Sequence, residues 1–196
     1  MNLCSLLSNY KPYDQHEKAD FDSFNQFFKL FDKDMWAVRD NKIGHLTASA
    51  LILNKDRTKM LMGYHNIYKS WSWFGGHADG DLNLYNVCLK ELEEETGINK
   101  NKFKQIYNND EQVIDFSVIA VGLHSKKGQI VSEHLHYNVS YLFEVDEQEP
   151  LNYRDDEHSG IAWININDFF NKSEYKDTEI IMNIYKRIIE KSGIKV

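Results

Sequence analysis

The sequence predicts an α+β domain, an α/β/α sandwich in which a mixed β-sheet carries helices on its two faces. Three observations predict it. Segments of strand character come in runs rather than in exchange with helices. Helix-period segments lie near the start, in the middle and at the end of the chain. The regular strand–helix–strand alternation of a doubly wound parallel sheet is missing.

The elements follow in order. Over residues 14–33, Phe21, Phe24, Phe28 and Phe31 recur at helical spacing among polar residues, which predicts a helix packed on the core or at a dimer contact. Residues 1–40 thus read as a helical N-terminal extension packed on a main domain of residues 41–196. "HLTASALILN" (45–54) predicts a strand, and "KMLMGYH" (59–65) a second after a turn. "SWSWFGG" (70–76) reads as one short aromatic strand ending in two glycines. Residues 83–96 predict the central helix, with Gly97 as its stop. "VIDFSVIAVGLHS" (113–125) and "EHLHYNVSYLFEV" (133–145) read as strands around a polar connection, Lys126–Ser132. "GIAWININDFF" (160–170) predicts a strand and a helical turn. The terminal helix carries Ile181, Ile184, Tyr185 and Ile188 at helical spacing.

Composition excludes several classes of function. The chain has 196 residues, 42% hydrophobic and 27% charged, which fits one soluble domain. Its net charge of −7 disfavours a nucleic-acid partner, which wants a basic surface. A phosphorylated substrate would need a bound cation or local Lys and Arg. Cys4 and Cys88 lie far apart with no C-x-x-C pair, which argues against a zinc ribbon and fits a reducing compartment. The opening residues lack the basic region and apolar run of a signal peptide. No apolar run reaches the roughly 18 residues of a membrane span. The expectation is a cytoplasmic protein without a membrane partner. Neither G-x-x-x-x-G-K-[ST] nor G-x-S-x-G occurs.

"KELEEETGI" (90–98) holds the chemistry-bearing cluster. On an ideal helix Leu84, Val87, Cys88, Leu89 and Leu92 form one wide apolar face. Taking Glu91 as zero, Glu95 falls about 40° away, inside that face, and Glu94 about 60° to the other side, at its edge. Only Glu93 falls on the polar face, where a solvated charge belongs. Like charges at i,i+4 repel, and unpaired buried carboxylates are costly. A divalent cation would compensate them, since carboxylate oxygens are preferred ligands of Mg²⁺ and Mn²⁺. From geometry alone, the metal reading and a last turn rotated out of the core stand level.

The stretch before the helix shifts that balance. "GGHADGDLNLYNVCLKELEEETGI" (75–98) resembles the signature of the Nudix hydrolases: G, five residues, E, seven residues, R-E, an aliphatic residue, any residue, E-E, any residue, G, an aliphatic residue. Gly76 opens it, and Lys90, Glu91, Leu92, Glu94, Glu95, Gly97 and Ile98 follow in register. Two positions depart, with Leu82 where the family has its first Glu and Lys90 where it has Arg. Lys90 keeps the charge but lacks the planar fork that holds two carboxylate oxygens.

The resemblance implies a metal-dependent pyrophosphohydrolase. Its substrate would be a small, nucleotide-containing diphosphate: a nucleoside diphosphate linked to another moiety, or a nucleoside triphosphate. It implies that Glu91, Glu94 and Glu95 bind Mg²⁺, with Mn²⁺ as the alternative ion, and that the Gly75 carbonyl completes the metal shell. A general base would be one of these carboxylates or a later one. The resemblance also implies a fourth acidic ligand from a loop before a later strand: Glu157, with Asp156 second, is the candidate in "DDEHSGIAW" (155–163), and Glu157 is the later carboxylate that could act as base. His65, Tyr68, Lys69 and Trp71 are substrate-binding candidates between the second strand and the glycines. His134 and His136, two apart on a strand, face one side and are further candidates for contacting substrate. A zinc site would need more ligands than this pair, and no spacing marks them.

Leu82 and Lys90 leave a second reading open, a non-catalytic Nudix-like ligand-binding or regulatory module. A third, an isopentenyl diphosphate isomerase-like enzyme, wants a reactive cysteine on a strand or loop near the metal. Cys88, on the acidic helix and facing the core, does not supply one. A homodimer built through the N-terminal helix is a further expectation.

Overall fold

The computed structural model describes residue 7 and residues 10–106, 113–126, 128–153, 158–175 and 177–196. Helix α1 (Gln15–Leu30) starts at Asp14, whose carboxylate accepts from Glu17 N. Strand β1 (Gly44–Asn54) is buried along all 11 of its residues, which suits a strand paired on both edges and covered on both faces. Strand β2 (Lys59–His65) returns antiparallel to it, pairing Ile52 with Leu61 and Leu53 with Met60.

The aromatic-glycine stretch departs from expectation. It forms two strands, β3 (Trp71–Ser72) on β2 and β4 (Phe74–His77) on β1. The reason is the length of β1. Its C-terminal end pairs with β2, so the N-terminal half of the same edge takes another strand, from Thr47 opposite His77 to Ala50 opposite Phe74.

The central helix is α2 (Leu84–Thr96), followed by β5 (Lys104–Gln105) and β6 (Asp115–Val121). The strand expected over 113–125 stops at Val121, and its last residues join the polar connection in a small separate hairpin, β7 (His124–Lys126) with β8 (Gln129–Val131). Gly128, at φ +78, makes its turn where few other residues would fit. The last elements are β9 (His134–Val145), β10 (His158–Asn165), α3 (Ile166–Asn171) and α4 (Glu179–Lys191).

Among the described residues the main sheet has eight strands. Its principal order is β10-β2-β1-β9-β5, with β3 on β2, β4 on β1 and β6 on β9. It is mixed because β1 and β9 run parallel, from Gly44 opposite Leu135 to Asn54 opposite Val145, while the other pairs are antiparallel.

Alternation along β1 then assigns the two faces. Leu46, Ala48, Ala50 and Ile52 pack with Phe24 and Phe27 of α1 and with Leu84, Val87, Cys88 and Leu92 of α2. Leu51 and Leu53 pack on the other side with Ile184, Tyr185 and Ile188 of α4. The phenylalanines of α1 are thus used within the chain, each fully buried ring worth about 1.5–3 kcal/mol. Among the described residues no helix is long and apolar enough to cross a membrane.

Helix α4 is tied to the sheet by a buried ion-pair network. Arg187 donates to both oxygens of Asp115, at 2.6 and 3.0 Å, and Lys191 donates to Asp115 at 3.2 Å and to Glu17 at 2.5 Å. Tyr10 also donates to Glu17. Burial pushes the Asp115 carboxyl up, but Lys191 and Arg187 outweigh it and hold the group below the usual range. Glu17 is raised, by burial and then by Asp115. A depressed carboxyl contributes stability that is complete above its unfolded value and is lost as pH falls through the folded one.

Asp115→Ala removes the bidentate partner of the buried Arg187 and leaves it the longer contact to Asp14, at 3.4 Å, so the change should cost roughly 3–5 kcal/mol. Denaturant unfolding at neutral pH checks this, and the difference from wild type should shrink in acid.

Candidate active site

The site begins with two glycines beside a helix. Helix α2 is capped by Asn83, which accepts from Asn86 N, and ends at Gly97, at φ +75. Between these caps Leu84, Val87, Cys88 and Leu92 bury one stripe against the sheet. Glu95 and Glu91 are carried down with that stripe. Glu95 is buried, and its Oε2 accepts from Gly75 N at 2.8 Å. Glu91 is half-buried with its carboxyl against Gly76, where a Cβ would stand 2.5 Å from the carboxyl carbon. At Gly75, with φ +155, a Cβ would stand 2.3 Å from the Ala48 carbonyl oxygen. One glycine therefore makes room for β1 and the next for the helix.

The other two carboxylates are placed differently. Glu94 is exposed, and its Oε1 lies 3.7 Å from Lys90 Nζ. Exposed i,i+4 pairs of this kind hold geometry weakly. Glu93 is not the freely solvated charge expected of it. It is half-buried and accepts from Lys100 N at 3.2 Å, joining the helix to the following turn.

Sequence reasoning missed His158. It is buried, with Nδ1 3.9 Å from Glu95 Oε1, and its ring packs 5.4 Å from Phe74. A Cβ on Gly63 would stand 2.2 Å from that ring. A lone glycine within a strand signals such close approach, so Gly63 was the available clue. His158 faces His65 across β10 and β2, the rings 5.5 Å apart.

His65, Tyr68 and Lys69 lie together at the β2–β3 turn. His65 Nδ1 accepts from Ile67 N at 3.1 Å, and its ring lies 4.4 Å from that of Tyr68. Tyr68 and Lys69 are exposed. Trp71 is separated from them. It packs with Tyr64 and Tyr175 in the core under α4, on the face opposite α2. Glu157 and Asp156 lie outside the described residues.

His134 and His136 share a side, as their spacing requires, with their Nε2 atoms 3.2 Å apart. The parallel register sets His136 beside His45 of β1, which the sequence did not single out. The His45 ring lies 5.1 Å from His134 and 5.2 Å from His136. His77 of β4 packs 4.8 Å from His136. His45 shares its face of β1 with Leu51, so this group lies on the side of the sheet away from Glu91 and Glu95. Burial, then repulsion from His77, His45 and His134, pushes His136 down to about 2. Burial also lowers His45.

Cys88 is a buried free thiol raised well above its ordinary value by burial, then by Glu95 and Glu91. A thiol so held stays protonated and is a poor nucleophile.

The NUDIX domain family matches residues 44–184. A comparison with curated proteins gives no match. Among solved structures, an Ap4A hydrolase from C. elegans in a binary complex aligns at 14% identity, with a TM-score of 0.51, over 74% of this chain and 97% of its own. A NUDIX-family hydrolase from Clostridium perfringens aligns at 19% identity, with a TM-score of 0.50, over 74% of this chain and 96% of its own. At these identities the two structures speak for the fold. The family match takes in the sheet, the glycine pair and the acidic helix together, and the chain therefore belongs to the Nudix family.

Proposed function

We propose that the protein is a Mg²⁺-dependent pyrophosphohydrolase that cleaves a diphosphate linkage in a nucleoside diphosphate bearing another moiety, or in a nucleoside triphosphate. The observation that carries this reading is the seating of Glu91 and Glu95 against Gly76 and Gly75, with Glu94 one helical position away. An all-carboxylate donor set fits a hard cation, and a backbone kept bare of side chains gives a phosphate room to approach. Glu91, Glu94 and Glu95, with the Gly75 carbonyl, would hold Mg²⁺ or Mn²⁺. Bound there, the ion supplies positive charge against the diphosphate oxygens and lowers the pKa of a ligated water.

The residues of the chain do the rest. Glu95 is anchored by the Gly75 amide and lies beside His158, so its orientation is set by the sheet. Glu94 is exposed and free to meet solvent, which suits a group that takes a proton from the attacking water. Glu91 and Glu157 are the other candidates for that base. Attack by water on one phosphorus breaks the P–O anhydride bond, and a phosphate or nucleotide leaves. His65, Tyr68 and Lys69 would contact the remainder of the substrate from the β2–β3 turn. Trp71 would support that turn from below. A cytoplasmic place goes with this reading, since Cys88 is a free thiol.

Incubation with Mg²⁺ and a panel of nucleoside triphosphates, nucleotide sugars, ADP-ribose and dinucleoside polyphosphates, followed by phosphate or nucleotide release, tests the proposal. No turnover across the panel would overturn it. Glu94→Gln and Glu95→Gln should each lower kcat/KM by roughly 10²-fold or more with the fold retained by circular dichroism. Gly76→Ala should displace the Glu91 carboxylate, and misplacement by about 1 Å costs on the order of 10²-fold in rate. Lys90→Arg should keep or raise activity, because the guanidinium fork can hold Glu94 through two oxygens. Steady-state kinetics of both variants would check these outcomes.

A further inference from the structure

We propose that His45, His134 and His136 form a second metal site, separate from the carboxylates, that takes a divalent transition metal of the zinc class. The three rings come from adjacent parallel strands in register, and one ligand atom of each lies within 4.8 Å of the others. Neutral imidazole nitrogens suit zinc and its neighbours, whereas Mg²⁺ prefers oxygen. The same ion therefore does not serve both sites.

The geometry of the pair on β9 already resembles ligation. Zn–N bonds of about 2.0–2.1 Å at tetrahedral angles space two nitrogens about 3.3 Å apart. His134 Nε2 and His136 Nε2 stand 3.2 Å apart. The outer nitrogens are also arranged as ligating histidines require. His134 Nδ1 lies 2.8 Å from the Ser132 carbonyl oxygen, and His45 Nδ1 lies 3.3 Å from that of Asn41. Donation of an N–H at each fixes the tautomer and leaves the Nε2 lone pair for a metal.

His45 supplies the independent observation. It is only 4% exposed, and among the described residues its Nε2 has no hydrogen-bond partner. A hydrogen bond between the Nε2 atoms of His136 and His134 would explain their spacing without an ion. It would not provide for His45. Buried polar atoms in native structures are nearly always satisfied, and a shared cation satisfies this one. Three imidazoles leave the fourth position of a tetrahedral ion to water or a ligand oxygen.

The test uses the full chain, stripped with a chelator and then held in excess Mg²⁺ so that the carboxylates do not compete. Zinc titration and elemental analysis after gel filtration should give about one equivalent of zinc per chain. Cobalt in its place should give the intense visible bands of low-coordinate nitrogen ligation, lost on adding zinc. His134→Ala, at a half-buried position, and His45→Gln should each weaken zinc binding by roughly 100-fold or more. Glu95→Gln should leave it unchanged. The proposal fails if no zinc is retained at micromolar concentration. It fails equally if the His134→Ala protein, folded by circular dichroism, binds zinc like wild type, or if Glu95→Gln abolishes binding.

Discussion

The close approach of the Gly75–Gly76 backbone to helix α2 is the contact on which the site depends. An apolar stripe brings the helix down onto the sheet, and two bare residues let it come close enough for Glu95 to reach a backbone amide and for Glu91 to lie against a Cα. Neither carboxylate would be tolerated at this depth without such partners, because burying an unpaired charge costs more than the stripe returns. The helix caps matter for the same reason. Asn83 and Gly97 begin and end the helix so that residues 91–95 lie above the glycines.

The two faces of the sheet are specialised. The α1 and α2 side holds the apolar core and the carboxylates. On the other side, α4 covers only the C-terminal half of β1, through Leu51 and Leu53. The N-terminal half of that face is polar. Thr47, Ser49, Asn138 and Ser140 bond one another there, and the histidines lie beyond them. Such a seam is stable only when its members satisfy each other, which the four residues do. The parallel pairing of β1 with β9 creates both halves, because one register sets Leu51 beside Leu142, Thr47 beside Asn138 and His45 beside His136.

Much of this was legible in the chain. The helices over residues 84–96 and 179–191 follow from apolar periodicity and caps, and the acidic cluster from its conflict with that periodicity. The split of 70–77 into two strands was not legible, because a short aromatic run carries no record of which neighbour it pairs with. Strand β5 is two residues long and has no period to read. Glu93 looked solvated because helical angle alone ignores the next turn, whose Lys100 amide it accepts. His158 escaped notice because a single histidine after an acidic loop has no periodic signature, and its partner, Gly63, is nearly 100 residues earlier in the chain.

By itself the sequence determined the local matters: which of the longer segments are helix or strand, where α2 stops, and that three glutamates in one helix need a compensating charge. These depend on residues a few positions apart, whose geometry the backbone period dictates. Only the tertiary structure decided what meets what across the sheet. It separated Trp71 from His65, set His158 beside Glu95, and joined His45 to two histidines about 90 residues away. Strand order and register are fixed by edges and faces competing for partners, and that competition leaves no trace in any short stretch of sequence.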